Sequence, residues 1–200
     1  MIDSYLSIQE SAVGLYKEKG SKFIAQAYPV TSEEEIKEIL TSVKKEHHSA
    51  RHWCYAWRLG ADKKRYRSND DGEPSGTAGK PILGQIIAAH VTDVLVVVVR
   101  YFGGTLLGTG GLITAYRSAA ADAFKNARII TKYVTKELCV KFDTEHTNEI
   151  LRRLKEYNAV IHEHAFHEKN EITFSIRASY AEKLRSLIEQ NNIPCQLSEM

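Results

Sequence analysis

Five glycines, Gly103, Gly104, Gly108, Gly110 and Gly111, follow Arg100 and Tyr101 in the run Arg100-Tyr-Phe-Gly-Gly-Thr-Leu-Leu-Gly-Thr-Gly-Gly-Leu112, and Arg117 stands shortly after. Glycine allows positive φ and removes the Cβ that would keep an anion away from backbone N–H groups. A helix opening there would offer its first amides, flanked by two guanidinium groups, as a phosphate cradle. The competing explanation is a tight strand-to-helix connection whose glycines serve packing alone. Two nucleotide motifs are excluded. No Gly-Lys-Ser/Thr follows, and the last place of a G-x-G-x-x-G started at Gly108 falls on Ile113.

A second polar segment, Ser68 to Pro81, carries Asp70, Asp71, Glu73, Ser75, Thr77 and Lys80. Ser75, Thr77 and Lys80 join the anion-binding candidates. Gly79-Lys80 imitates the end of a phosphate loop, but Pro74 stands where glycine is required and Pro81 replaces Ser or Thr. The acids invite magnesium or calcium, yet their spacing does not match a calcium loop, so no metal and no cofactor are assigned. His52, Asp71 and Glu73 form the acid–base alternative, which would make the chain an enzyme. Ser75 has no identifiable base, and there is no Gly-x-Ser-x-Gly elbow. His47 and His48 near His52 and Cys54 read as scattered side chains before they read as zinc ligands, and His162 and His164, on one face of a strand, as solvated before they read as a metal site at a sheet edge.

Lys63, Arg65, Tyr66 and Arg67 interleave basic and aromatic character, which suits a phosphate backbone with a base stacked on Tyr66. An edge strand guarded by lysines accounts for the same residues and is preferred.

These candidates need elements to hold them. Val94 to Val99 is an apolar run that reads as a central strand buried on both faces. Leu112, Ala115, Tyr116, Ala119, Ala120, Ala123, Phe124 and Ala127 follow helical spacing, leaving Thr114, Arg117, Ser118 and Asp122 on the solvent side. Upstream, Val13 to Tyr28 reads as a hairpin turning at Lys19-Gly20. Ser32-x-x-Glu35 reads as a capping box opening a helix with Ile36, Ile39, Leu40 and Val43 on one face. His52 to Leu59 alternates as a strand, and Ile82 to His90 is a short helix. Past a boundary at Arg128 to Lys132 come a strand at Tyr133 to Lys141, a helix at Thr144 to Tyr157, and strands at Ala159 to His167 and Glu171 to Ala178. A capping box at Ser179-x-x-Glu182 opens a last helix, and Ile193 to Leu197 is a closing strand. This βαββαβ order is the ferredoxin-like plan.

Length and charge limit the rest. Two hundred residues make one large or two small domains. The net charge of +2 does not by itself demand nucleic acid; residues 131 onward hold ten Lys/Arg against eleven Asp/Glu, leaving seventeen against fourteen before them. Three widely separated cysteines, with no Cys-x-x-Cys, imply reduced thiols. No signal-like start and no bilayer-spanning apolar run are present, so the expectation is a cytoplasmic protein with no membrane contact.

Three ordered stretches, His52-x-Cys-Tyr-Ala-Trp-Arg58, Asp71-Gly-Glu-Pro-Ser-Gly-Thr-Ala-Gly79 and Arg100-Tyr-Phe-Gly-Gly-x-x-Leu-Gly108 continuing to Leu112, resemble the YigZ/IMPACT family. One position departs: Thr114 stands where the bacterial pattern has arginine, with Arg117 one turn on. The resemblance implies an α+β fold of two domains. Residues 1–130 would be an α/β sandwich like the second domain of a small-subunit ribosomal protein, and residues 131–200 a ferredoxin-like domain, with both folds also found in the translocation elongation factor. It also implies a non-enzymatic role in translation, with RNA, the ribosome or a translation factor as partner. Eukaryotic relatives regulate translation by competing for the activator of a starvation-responsive kinase, a role that depends on an additional N-terminal domain and is not expected of a chain beginning at the shared part. The alternative is a hydrolase of a phosphorylated or peptide substrate, working in a cleft between the two Gly-rich segments.

Overall fold

The computed structural model describes residues 2–166, 168–190 and 194–199. The chain divides into two units, one running from Tyr5 to Lys132 and the other from Tyr133 on together with the chain up to Ser4. Among the described residues there are five α-helices and three sheets. The smallest sheet pairs β1 (Ser4–Ile8) with β7 (Ile129–Tyr133), so the boundary expected at Arg128 to Lys132 is itself largely a strand.

In the first unit, β2 (Ala12–Glu18), β3 (Ser21–Pro29), β4 (His52–Leu59), β5 (Arg65–Asn69) and β6 (Val94–Tyr101) form a sheet in the order β2-β3-β6-β4-β5. β6 is its centre, and Val94 to Val99 are fully buried. Alternation sends Val94, Val96 and Val98 to one face, against α2 (Gly79–Ala88) and α3 (Gly108–Asn126). Leu95, Val97 and Val99 go to the other, against Val30, Ile36 and Val43 of and before α1 (Glu33–Glu46). The first unit thus covers both faces of its own central strand there. Ser32 Oγ accepts from Glu35 N at 3.1 Å, while the Glu35 carboxylate reaches back to Thr31 N at 2.8 Å, one residue earlier than a capping box requires.

α3 sets the position of the candidate cradle. It starts at Gly108, four residues before the apolar stripe, so Gly108, Gly110 and Gly111 are its first turn. Its alanines lie so close to β2 that a Cβ on Gly14 would stand 2.2 Å from Ala123 N. α2 likewise begins three residues ahead of the expected Ile82.

The second unit follows β8 (Thr135–Phe142), a 3₁₀ turn at Thr144–His146, α4 (Thr147–Glu156), β9 (Val160–Phe166), β10 (Asn170–Arg177), α5 (Ala178–Gln190) and β11 (Cys195–Glu199). The sheet order is β11-β8-β10-β9, all antiparallel, over a core of Leu138, Val140, Phe142, Ile150, Leu154, Phe174 and Leu184. His167 and Ile193, assigned to strand ends from sequence, lie outside the described residues. Ser179 is not the cap of α5. The helix begins at Ala178, and Ser179 N donates to Asp3 Oδ1 at 3.2 Å, a partner no local pattern shows. Arg177 also binds Asp3, with Nε at 2.6 Å from Oδ2.

Two outcomes follow. Gly14→Ala forces β2 and α3 apart and lowers stability by about 1–3 kcal/mol, read from the denaturant midpoint; an unchanged midpoint contradicts the packing. The hydrogen bond from Arg177, then those from Ser179, hold the Asp3 carboxyl at about 2 instead of the usual 3.8. A depressed carboxyl contributes stability above its unfolded value and loses it as pH falls through its folded value. Denaturant midpoints should therefore drop between pH 3.8 and about 2, and Asp3→Asn should remove that part of the slope.

Candidate functional site

The site is anchored at the end of β6, where Arg100 pairs in register with His52 on β4 and Phe23 on β3. Arg100 is 6% exposed and its Nη1 donates to Glu73 Oε1 at 2.6 Å. The Tyr116 hydroxyl of α3 donates to the same oxygen at 2.8 Å. The Cys54 thiol donates to the Asp70 carbonyl at 2.9 Å and lies 3.3 Å from the Tyr116 hydroxyl. Burial raises both the Cys54 and Tyr116 ionisations far above their usual range, so both stay protonated. Phe23 packs edge-on to Tyr116 at 5.1 Å, and the Arg100 guanidinium lies 5.5 Å from the Phe23 ring centre and 5.6 Å from that of Phe102.

Glu73 therefore ties the first polar segment to the second. The two segments do meet, in a cleft of about 440 Å³ lined by Arg51, His52, Glu73, Pro74, Arg100, Phe102, Leu106 and Leu107 with Gly108, Thr109 and Leu112 of α3. Their helix starts differ. Asp70 accepts from Gly76 N at 2.8 Å, Ala78 N at 2.9 Å and Gly79 N at 2.8 Å, so the Ala78 and Gly79 amides at the start of α2 are already occupied. Burial works to raise the Asp70 carboxyl, but those three amides and Lys80 outweigh it and hold it low. α3 has Leu107 as its N-cap, with no side-chain cap, and its first residues line the cleft. Four N–H groups at such an end lack an intrahelical partner.

The other sequence candidates are distributed as follows. Gly103 packs: a Cβ there would stand 1.9 Å from Gly20 C in the β2–β3 turn. Gly104 and Gly108 hold positive φ, 88° and 69°, whereas a Cβ on Gly110 meets nothing within 4 Å. Tyr101 turns to the α1 side and bonds His47 Nδ1 at 2.9 Å. Arg117 is exposed and does not line the cleft, and Thr114 Oγ1 donates to Gly110 O at 3.1 Å. Ser75 and Lys80 are exposed, while Thr77 is buried with its hydroxyl on Pro74 O at 2.6 Å.

His52 Nδ1 lies 2.9 Å from the Asp71 backbone carbonyl, which can only accept; that places a proton on Nδ1, so in the neutral ring it is Nε2 that can accept. The Asp71 carboxylate instead takes Trp53 N at 2.8 Å. β5 forms the edge of the sheet, and Arg65 sits opposite Leu59, seven residues along β4 from His52, about 23 Å at strand rise. Arg65 pairs with Glu33 at 3.0 Å and Lys63 Nζ donates to His90 O at 3.0 Å; Tyr66 and Arg67 are exposed. The basic strand and the glycine turn are therefore not brought together. No group of three or more His, Cys, Asp or Glu among the described residues could hold a metal ion.

Sequence reasoning missed Arg51, Phe102, Leu106 and Leu107 as lining, Asp70 as an amide cap and Tyr116 as a polar partner. Only the apolar Phe102 and Leu106-Leu107 inside an otherwise turn-like stretch gave a signal.

Removing Glu73 leaves the Arg100 charge buried without its counter-ion. Glu73→Ala is expected to lower stability by about 3–5 kcal/mol in chemical denaturation, and a loss below about 1 kcal/mol, the size of a surface pair, contradicts this geometry.

The sequence model of the Impact N-terminal domain matches residues 19–124, more than half of the chain. An IMPACT family member of Bacillus subtilis (strain 168), YvyE, is 32% identical over 171 residues, covering 86% of this chain and 79% of that protein. Another, YigZ of Escherichia coli (strain K12), is 46% identical over 109 residues, covering 54% of this chain and 53% of that protein, so the match spans about half the length of that relative. A crystal structure of a hypothetical protein is similar at a TM-score of 0.76 and 30% identity, covering 100% of this chain and 98% of that one. On this profile match and these relatives, the chain belongs to the YigZ/IMPACT family.

Proposed function

We propose that this chain is a non-enzymatic binding protein linked to translation, which takes a phosphate of RNA or of a ribosome-associated partner at the opening of α3. One contrast carries the reading: Asp70 already occupies the Ala78 and Gly79 amides at the start of α2, while Gly108 and Thr109, which open α3 without a side-chain cap, line a cleft beside Arg51 and Arg100. Uncompensated amides and the positive end of the helix dipole favour an anion there. The family resemblance supports the link to translation, as do two proposed folds, the ribosomal-protein second-domain type for the first unit and the ferredoxin-like type for the sheet ordered β11-β8-β10-β9. A cytoplasmic location belongs to the same proposal; no helix among the described residues is long and apolar enough to cross a membrane.

A second reading, a hydrolase working in the same cleft, draws support from the His52 ring, which lines the cleft and is oriented by the Asp71 carbonyl at Nδ1. It needs an acid partner other than Asp71, whose carboxylate is engaged by Trp53 N, and Glu73, which is bound to Arg100. Turnover of a phosphorylated or peptide substrate that disappears in His52→Ala would favour it.

Gly110→Glu separates anion binding from folding. The new side chain has room, and a carboxylate in the first turn stabilises a helix. RNA affinity, measured by fluorescence anisotropy, is expected to fall at least about tenfold with the thermal midpoint held or raised, and the parent's affinity to fall steeply with salt. Unchanged RNA affinity in Gly110→Glu contradicts the proposal.

A further inference from the structure

Phe102 and Leu106 are 52% and 82% exposed, and both stand on the turn that leads into α3. Phe102 does more than edge one cleft. A second cavity of about 370 Å³ is lined by Ser49, Ala50, Arg51, Arg100, Tyr101 and Phe102, so Phe102, Arg51 and Arg100 are common to the two hollows. The Arg100 guanidinium lies 5.6 Å from the Phe102 ring centre, which props the ring while its other half remains in solvent. Arg100, though only 6% exposed and held by Glu73, lines both hollows, and its buried Nε has no hydrogen-bond partner among the described residues.

Resting on the polyanion reading above, we infer that this is a site for single-stranded nucleic acid. A base stacks on Phe102, and the adjoining phosphate sits between the first amides of α3 and Arg51. An aromatic platform beside a cationic groove is how single strands are held without sequence preference, because every base has a π-face and every linkage a charge. A duplex keeps its bases stacked internally and offers Phe102 nothing. A peptide carboxylate would satisfy the helix mouth but carries one charge and fills one hollow. Here two hollows share the aromatic, and further cations border the same turn. Lys22 is exposed opposite Tyr101 in the β3–β6 register, and Lys19 precedes Gly20, which packs on Gly103. Tyr66, the stacking candidate from sequence, lies toward the other end of β4.

The test compares a labelled short oligouridylate with an abasic oligomer of the same length, by fluorescence anisotropy at low salt. The parent chain is expected to bind the base-bearing strand more tightly. Phe102→Ala should weaken that strand by roughly 5- to 100-fold and leave the abasic one unchanged, and Phe102→Trp should restore it. Equal binding of the two oligomers by the parent chain overturns the stacking site and leaves the polyanion reading standing, whether or not any variant folds. Phe102→Ala binding both like the parent also overturns it. If neither oligomer binds, while a short apolar peptide with a free C-terminal carboxylate does, both readings fall.

Discussion

A charged pair closed off from water governs the first unit. Glu73 Oε1 receives the Arg100 guanidinium and the Tyr116 hydroxyl together, and both side chains of the ion pair are below one-tenth exposed. Such a pair gains little over an apolar substitute, because desolvation offsets attraction. What it supplies is position. Arg100 ends the central strand, Glu73 sits in the turn before α2 and Tyr116 in the body of α3, so three elements meet at one oxygen. A displaced loop would leave a buried charge unmatched, so the cost of misplacement keeps the cleft in shape.

The same bookkeeping of backbone donors distinguishes the two Gly-rich segments, which look alike in the sequence. Asp70 turns the first inward, spending three amides on its own carboxylate. The second has no acid in its turn: Leu107 is the N-cap of α3 with no side-chain bond, and between Phe102 and Leu112 the hydroxyl residues are Thr105 and Thr109. The unoccupied donors sit under an apolar rim made by Pro74, Phe102, Leu106 and Leu107. Low polarity around exposed amides strengthens whatever charge they meet. The cleft is therefore chemically two-sided, with uncapped backbone amides on one side and apolar side chains on the other.

How much of this was legible depended on distance along the chain. Period-two and period-3.6 patterning located β4, β6, α3 and the elements of the second unit, because each is set by neighbours a few residues away. Helix starts were harder. α3 begins at Gly108 and α2 at Gly79, both inside stretches whose glycines read as turn, and α5 takes its acceptor from Asp3, more than 170 residues earlier. Tyr116 fell on the apolar stripe and so read as packing, when its hydroxyl faces Glu73, 43 residues away. Arg100 read as a free cation because its counter-ion comes from a loop. Glycine spacing gave the place of the cleft; which glycines served backbone geometry and which served packing needed the turn at Gly20 to be seen against Gly103.

The claim at the centre is that the first amides of α3 receive a phosphate. Backbone amide shifts recorded during titration with a short single-stranded RNA test it residue by residue. The account predicts saturable shifts at Gly108, Thr109 and Gly110, while Gly76, Ala78 and Gly79, already held by Asp70, stay in place. Shifts confined to β5 around Tyr66 and Arg67, or no change at the start of α3 when RNA is bound, would contradict it.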